Sequence, residues 1–153
     1  MSLIPGTLVV VRQMGILLRG PAGCGKSDTA LALIQAGHQL VADDAVALKR
    51  HAGHLIGSAP AAGAGLLCLR GPGLIAVAEC FGARAVAESA RLDAVIDLIE
   101  APGTPTAEAD WAPVRIHGVT RPRLAIAPTR PVAALLEALA ASRPFAAAGR
   151  EAV

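Results

Sequence analysis

The apolar positions fall in short runs that change period along the chain. Thr7 to Val11 is an aliphatic, largely β-branched run, Gln13-Met14-Gly15 reads as a turn, and Ile16 to Arg19 as a second strand, which together predict a hairpin. From about Lys26 to Ala36 the spacing becomes helical. Ala30, Leu31 and Ile34, with Leu33 beside them, share one face, and Gly37 is placed to end the helix in a left-handed conformation. Leu40-Val41-Ala42 is then a short buried strand. Val46 to Leu48 resumes after the acidic pair Asp43-Asp44, and Gly53 to Ile56 pairs back on it.

Further on, Pro60 to Gly65 reads as a loop, and Leu66 to Leu69 as a strand closed by Arg70-Gly71-Pro72-Gly73. Leu74 to Val77 fits either a strand or a turn of helix. Ala94 to Ile99 is apolar throughout most of its length, as a central strand is. Pro102 to Pro113 is a turn-rich excursion, and Val114 to Ile116 and Leu124 to Ile126 are late strands. Pro131 to Ala141 is a helix with Thr129 as a candidate cap and Pro131 near its first turn. Residues 1–143 are expected to form one domain, with a frayed tail from Pro144 to Val153. Neither an internal repeat nor an interdomain linker is visible.

Composition narrows the function classes. The 153 residues are 54% hydrophobic, yet the aromatics are only Phe81, Trp111 and Phe145, too few for a base-stacking platform. A net charge of +2 without a basic run argues against nucleic acid as a partner. No apolar segment reaches membrane-spanning length, and no basic-then-apolar leader opens the sequence, so a cytoplasmic setting is expected. Cys24, Cys68 and Cys80 form no C-x-x-C pair and are odd in number, which fits a reducing compartment and argues against zinc. His38, His51, His54 and His117 lack ligand spacing and read as surface residues; Glu79, Glu88, Asp93 and Asp97 read as ordinary helix-face or strand-end charges.

One segment carries chemistry of high specificity. Gly20-Pro21-Ala22-Gly23-Cys24-Gly25-Lys26-Ser27 matches G-x-x-x-x-G-K-[ST], and it lies between a predicted strand and a predicted helix that opens with Asp28. Glycines let the backbone curl so that its N–H groups face an anion, and the helix adds its positive end. Lys26 is suited to the outer phosphates and the Ser27 hydroxyl to Mg²⁺. The expected architecture is α/β, a P-loop nucleotide-binding unit with a mixed β-sheet, and the expected cofactors are ATP and Mg²⁺. Cys24, beside Lys26 and just before a helix, is either a redox-sensitive thiol or a small residue filling a tight loop.

The acidic pair strengthens this reading. A right-handed crossover makes the strand before the loop and the strand before Asp43-Asp44 parallel, so both end on the ligand-binding edge of the sheet. If those strands are neighbours, their ends lie about 4.8 Å apart. Phosphoryl transfer needs one group to deprotonate the attacking hydroxyl and another to help hold the metal. Arg70 is placed before a glycine turn and is a candidate phosphate contact, as is one of Arg121, Arg123 and Arg130.

With these motifs in place, the chain resembles the catalytic domain of bacterial HPr kinase/phosphorylase, in a short single-domain form. The likeness rests on Gly20 to Ser27 followed by Asp28-Thr29-Ala30-Leu31, then Gly37-His38-Gln39-Leu40-Val41-Ala42-Asp43-Asp44-Ala45-Val46, with Leu69-Arg70-Gly71-Pro72-Gly73-Leu74-Ile75 and Val119-Thr120-Arg121-Pro122-Arg123-Leu124-Ala125-Ile126 as further patches. It implies an ATP- and Mg-dependent serine kinase acting on HPr, a phosphocarrier of the sugar phosphotransferase system, with a possible phosphorylase reaction and a hexameric assembly. By position it implies nucleotide binding by Gly20 through Asp28 and catalytic roles for Lys26, Asp43, Asp44, Arg70 and Arg121, with Ser27 and Asp44 toward the metal. Three departures stand out. Pro5 occupies a position where the family carries histidine, Cys68 one where it carries an acid, and a glycine of the late arginine-proline stretch is missing. Proline exchanges no proton and a thiol is a poor magnesium ligand, so a nucleotide-binding regulator without turnover is the alternative. A small-molecule P-loop kinase is a further alternative, though the chain shows no clear arginine-rich lid.

Overall fold

In the computed structural model, which describes residues 2–100, 107 and 109–142, β1 (Ser2–Pro5) gives way at Gly6 to β2 (Thr7–Val11). Arg12 and Gln13, both at positive φ, turn the chain into β3 (Met14–Arg19), so of Gln13-Met14-Gly15 only Gln13 belongs to the hairpin turn. The phosphate loop follows, then α1 (Lys26–Gln35), which Gly37 ends at φ +97°. β4 (Gln39–Ala42) leads through the two aspartates into the hairpin of β5 (Ala45–His51) and β6 (His54–Ser58). β7 (Leu66–Leu69) and β8 (Gly73–Ala76) form a separate hairpin, and Val77 opens the short α2 (Val77–Phe81), so Leu74 to Val77 is strand first and helix last. β9 (Ser89–Arg91), β10 (Ala94–Leu98), β11 (Ala112–Ile116), β12 (Val119–Ile126) and α3 (Val132–Ala141) complete the chain. The tail from Pro144 and half of the Pro102–Pro113 excursion lie outside the described residues.

The α/β expectation holds. A six-stranded sheet has the order β11-β12-β10-β3-β2-β4, with β3, β10 and β12 parallel and β2 antiparallel to both its neighbours. β4 therefore runs in the same sense as β3, but the two are not adjacent: β2 lies between them. Their ends are two strand spacings apart, about 10 Å rather than 4.8 Å. The reason is the opening hairpin, which places β2 against β3 before the crossover helix is made.

Alternation divides the sheet's two faces. Val9, Ile16, Leu18 and Ile96 face α1 and α3, and Leu8, Leu17 and Val95 face the second sheet, of order β1-β5-β6-β9. β10 is buried along its whole length because both its edges are paired and both faces covered. α3 starts without a side-chain cap: Pro131 occupies the cap position and its carbonyl accepts from Leu135 N, so Thr129 does not serve as the cap. No helix among the described residues is long and apolar enough to cross a membrane.

Candidate active site

β3, β4, β10 and β12 all end on one edge of the six-stranded sheet, and the chemistry gathers there. The loop from Gly20 leaves β3 and closes on α1, whose cap residue Gly25 lies at φ +102°. Gly20 admits no side chain, since a Cβ there would stand 2.7 Å from Cys24 Sγ and 3.0 Å from Leu98 O. Cys24 is thus turned toward the root of the loop and packs against the core. Lys26 Nζ donates to Gly20 O at 2.7 Å and to Pro21 O at 3.2 Å, which holds the ammonium inside the loop.

The acidic pair meets this loop across the intervening strand. Asp43 Oδ1 accepts from the Thr7 hydroxyl at 2.8 Å, the Ser27 hydroxyl lies 3.0 Å from both Asp43 oxygens, and Cys68 N donates to Asp43 Oδ2 at 3.0 Å. Asp43 is therefore held from three elements, β2, α1 and β7. Asp44 is different. It is exposed, with φ +66°, at the centre of a turn in which Ala45 N donates to Asp43 O at 2.7 Å. Aspartate is among the few residues that tolerate that conformation.

A cleft of about 470 Å³ joins these parts. Ala22, Gly23, Gly25, Lys26, Ser27 and Asp28 line one wall, and Asp43, Asp44, Cys68, Leu69 and Arg70 the other. The Arg70 guanidinium lies over Gly23, close to where a Cβ would stand. Lys26 and Arg70 bring positive charge, and Asp28, Asp43 and Asp44 negative charge, to the same cleft. A polyphosphate can occupy such a cleft only if a cation shields it from the carboxylates. The donor set suits a hard ion: a hydroxyl and carboxylates, with no cage of three or more metal-ligating His, Cys, Asp or Glu residues among the described residues. Magnesium bound through one or two protein oxygens plus phosphates has this requirement.

The structure does not bring Arg121 to the cleft, and this corrects the sequence expectation. Arg121 lies near the start of β12, at the far end from the phosphate loop, and is fully buried. Its Nε donates to Leu92 O at 2.9 Å and its Nη1 to Thr120 O at 3.1 Å. Burial, then the charge of Arg91, lowers its pKa, against the pull of Asp93. Arg123 is also occupied: Asp97 takes Arg123 Nε at 2.7 Å and Arg19 Nε at 2.7 Å. Arg130 alone of the three is exposed, in the connection after β12 on the ligand edge.

Other charges read as ordinary from sequence have structural partners. Burial works to raise the Asp97 carboxyl, but hydrogen bonds from Arg19 and Arg123 and their charges together outweigh it and hold the pKa low. Asp93 has the opposite balance. Burial raises its pKa, despite hydrogen bonding from Gly15 N at 2.9 Å and an ion pair with Arg91 at 3.1 Å. His38 is not a free surface residue: its Nε2 lies 2.9 Å from Glu137 Oε1, joining α1 to α3. His54 is partly buried, with its Nδ1 turned inside. Thr7 is the residue that motif reading missed, since a threonine in an aliphatic run looks like any other strand residue.

Known proteins share this chain's sequence pattern and fold. A family model described as the HPr Serine kinase C-terminal domain matches residues 1–153. An HPr kinase/phosphorylase of Clostridium tetani is 39% identical over 145 residues, which cover 90% of this chain and 47% of that protein. One from Geobacillus is 47% identical over 96 residues, 62% of this chain and 31% of the relative. The chain thus spans about half the length, or less, of these curated relatives. The solved structure of the Hpr(Ser) kinase/phosphatase from Coxiella burnetii superposes with a TM-score of 0.83 at 31% identity, covering 90% of this chain and 93% of that one.

Proposed function

Because the chain belongs to the HPr serine kinase C-terminal domain family, we propose that it is an ATP- and Mg-dependent serine kinase whose acceptor is an HPr-type phosphocarrier protein. The observation that carries this reading is the division of labour between the two acids. Asp43 has both oxygens engaged and is bonded to Ser27, whereas Asp44 is exposed in the same cleft.

In this reading the loop from Gly20 to Asp28, through those of its amides that remain free to donate, and the Lys26 ammonium hold the nucleotide phosphates, and Arg70 closes over them. Ser27 and Asp43 would hold Mg²⁺, so the metal role expected for Asp44 passes to its neighbour. The chemistry such an ion would supply is neutralisation of phosphate charge. Asp44 accepts the serine proton as the hydroxyl attacks in line, and the γ-phosphoryl moves from ADP's oxygen to the serine oxygen. Positioning and charge neutralisation supply the rate enhancement. The reading also includes the reverse phosphorylase reaction with inorganic phosphate, a hexameric assembly and a cytoplasmic setting, all taken from the resemblance.

The test is transfer of label from γ-labelled ATP to purified HPr. Label on a serine, absent with Lys26→Ala, is expected. No label while calorimetry registers Mg·ATP binding rejects the kinase reading and selects the second one, a nucleotide-binding regulator without turnover. What favours the second is the Cys68 thiol on the cleft wall, a position where the family carries an acid, together with Pro5 at the head of the opening hairpin.

A further inference from the structure

The first two residues after β1 grip both acids, one through the main chain and one through a side chain. Gly6 N donates to Asp44 O at 3.0 Å, and the Thr7 hydroxyl donates to Asp43 Oδ1 at 2.8 Å. Gly6 permits the approach, because a Cβ at φ +145° would stand 2.8 Å from Leu17 Cδ1 and 2.9 Å from Leu18 O. Thr7 is 0% exposed. A hydroxyl so placed costs free energy unless its hydrogen bond is made. Valine would fill the same space and suit a strand equally well.

We propose that Thr7 is a positioning residue for the cation half of the cleft: its hydroxyl fixes the Asp43 carboxylate so that this carboxylate in turn holds Ser27 Oγ toward the magnesium position. The argument is one of torsional control. Ser27 Oγ lies 3.0 Å from both carboxylate oxygens and so cannot by itself choose the rotation of the group. Cys68 N pins Oδ2 and Thr7 Oγ1 pins Oδ1, from elements far apart in sequence. Without Thr7, Oδ1 loses its one fixed donor and the plane of the carboxylate is held at one end only. Every donor involved is neutral, so the charge that attracts a cation is oriented without being cancelled.

The inference rests on the magnesium assignment made above, and the experiment separates the two. ADP binding is measured by calorimetry with MgCl₂ and with EDTA, on the full chain and on Thr7→Val, Thr7→Ser and Thr7→Ala. Thr7→Val keeps the branched shape and loses the hydroxyl. It is expected to bind ADP in EDTA as the unaltered chain does, while the tightening that Mg²⁺ produces falls roughly tenfold, the loss of one hydrogen bond to a charged group. Thr7→Ser is expected to restore most of that tightening. Should Thr7→Val not fold, the Thr7→Ser and Thr7→Ala pair supplies the same contrast. Equal Mg²⁺ dependence in all variants overturns the role of Thr7, and so does an equal loss with and without Mg²⁺, which marks a packing defect. No Mg²⁺ effect in the unaltered chain overturns the magnesium assignment itself, and the inference with it.

Discussion

The Asp43 carboxylate at the cleft and the two carboxylates at the ends of β10 are held by opposite chemistry. Asp43 is bound by two hydroxyls and a peptide N–H. Asp97 is bound by two guanidinium groups, and Asp93 by Arg91 and the Gly15 N–H. Neutral donors fix a carboxylate's direction and leave its charge to act on a ligand. Arginines fix it and cancel its charge, which suits a group whose task is to tie strands together. The lesson concerns how to read acids in a fold. Burial and a short hydrogen bond do not mark function; the charge of the donor does.

That contrast can be broken from either side. The largest expected effect lies in the cleft. Asp44→Asn should lower phosphotransfer to HPr by about 10²- to 10⁴-fold, the range for loss of a general base. Asparagine tolerates the left-handed backbone at this position, so the melting temperature should hold. A variant that turns over normally in a quenched-flow assay would remove Asp44 from the mechanism. The next effect is on stability. Arg121→Met should destabilise the fold by roughly 3 kcal/mol, since it strips the buried Leu92 carbonyl of a donor and Asp93 of a cation. Mg·ADP binding should be unaltered in that variant, and a comparable loss of nucleotide affinity without loss of stability would return Arg121 to the site.

The smallest effect sharpens the comparison by pH. The Asp97 pKa is lowered in the folded chain, so its contribution is present above the unfolded value near 4 and is lost as pH falls through the folded value. The Asp93 pKa is raised, so its contribution is fullest below that unfolded value and declines as pH rises through the folded one. Urea titrations across acid pH should therefore show Asp97→Asn losing less stability than the unaltered chain on acidification. Asp93→Asn should lose more. Parallel curves for all three proteins would show that these two acids do not govern the acid limb.

Much of the site was legible because its signals are local. The opening hairpin, the loop from Gly20 to Ser27, α1 with its Gly37 terminus and the acids after β4 each follow from contiguous residues whose spacing or backbone demands are written side by side. Reading failed where a contact joins distant strands. Arg19 and Asp97 are 78 residues apart, and Thr7 and Asp43 are 36 apart. Arg121 looked like a phosphate ligand because arginine beside proline in a late strand resembles the family's motif. Its place near the start of a parallel strand, which settles its burial, depends on strand direction and order. Thr129 was a good cap by residue type, yet the turn before α3 puts the cap position two residues beyond it, at Pro131.

By itself, the order of residues determined which segments curl, extend or coil, and which segment can receive a phosphate. Those outcomes depend on neighbours along the chain, where glycine freedom, side-chain branching and apolar period act directly. Only the tertiary structure decided what each charge is for. A carboxylate takes its task from the donors that reach it, and here they arrive from strands and helices that meet only when the sheet is assembled.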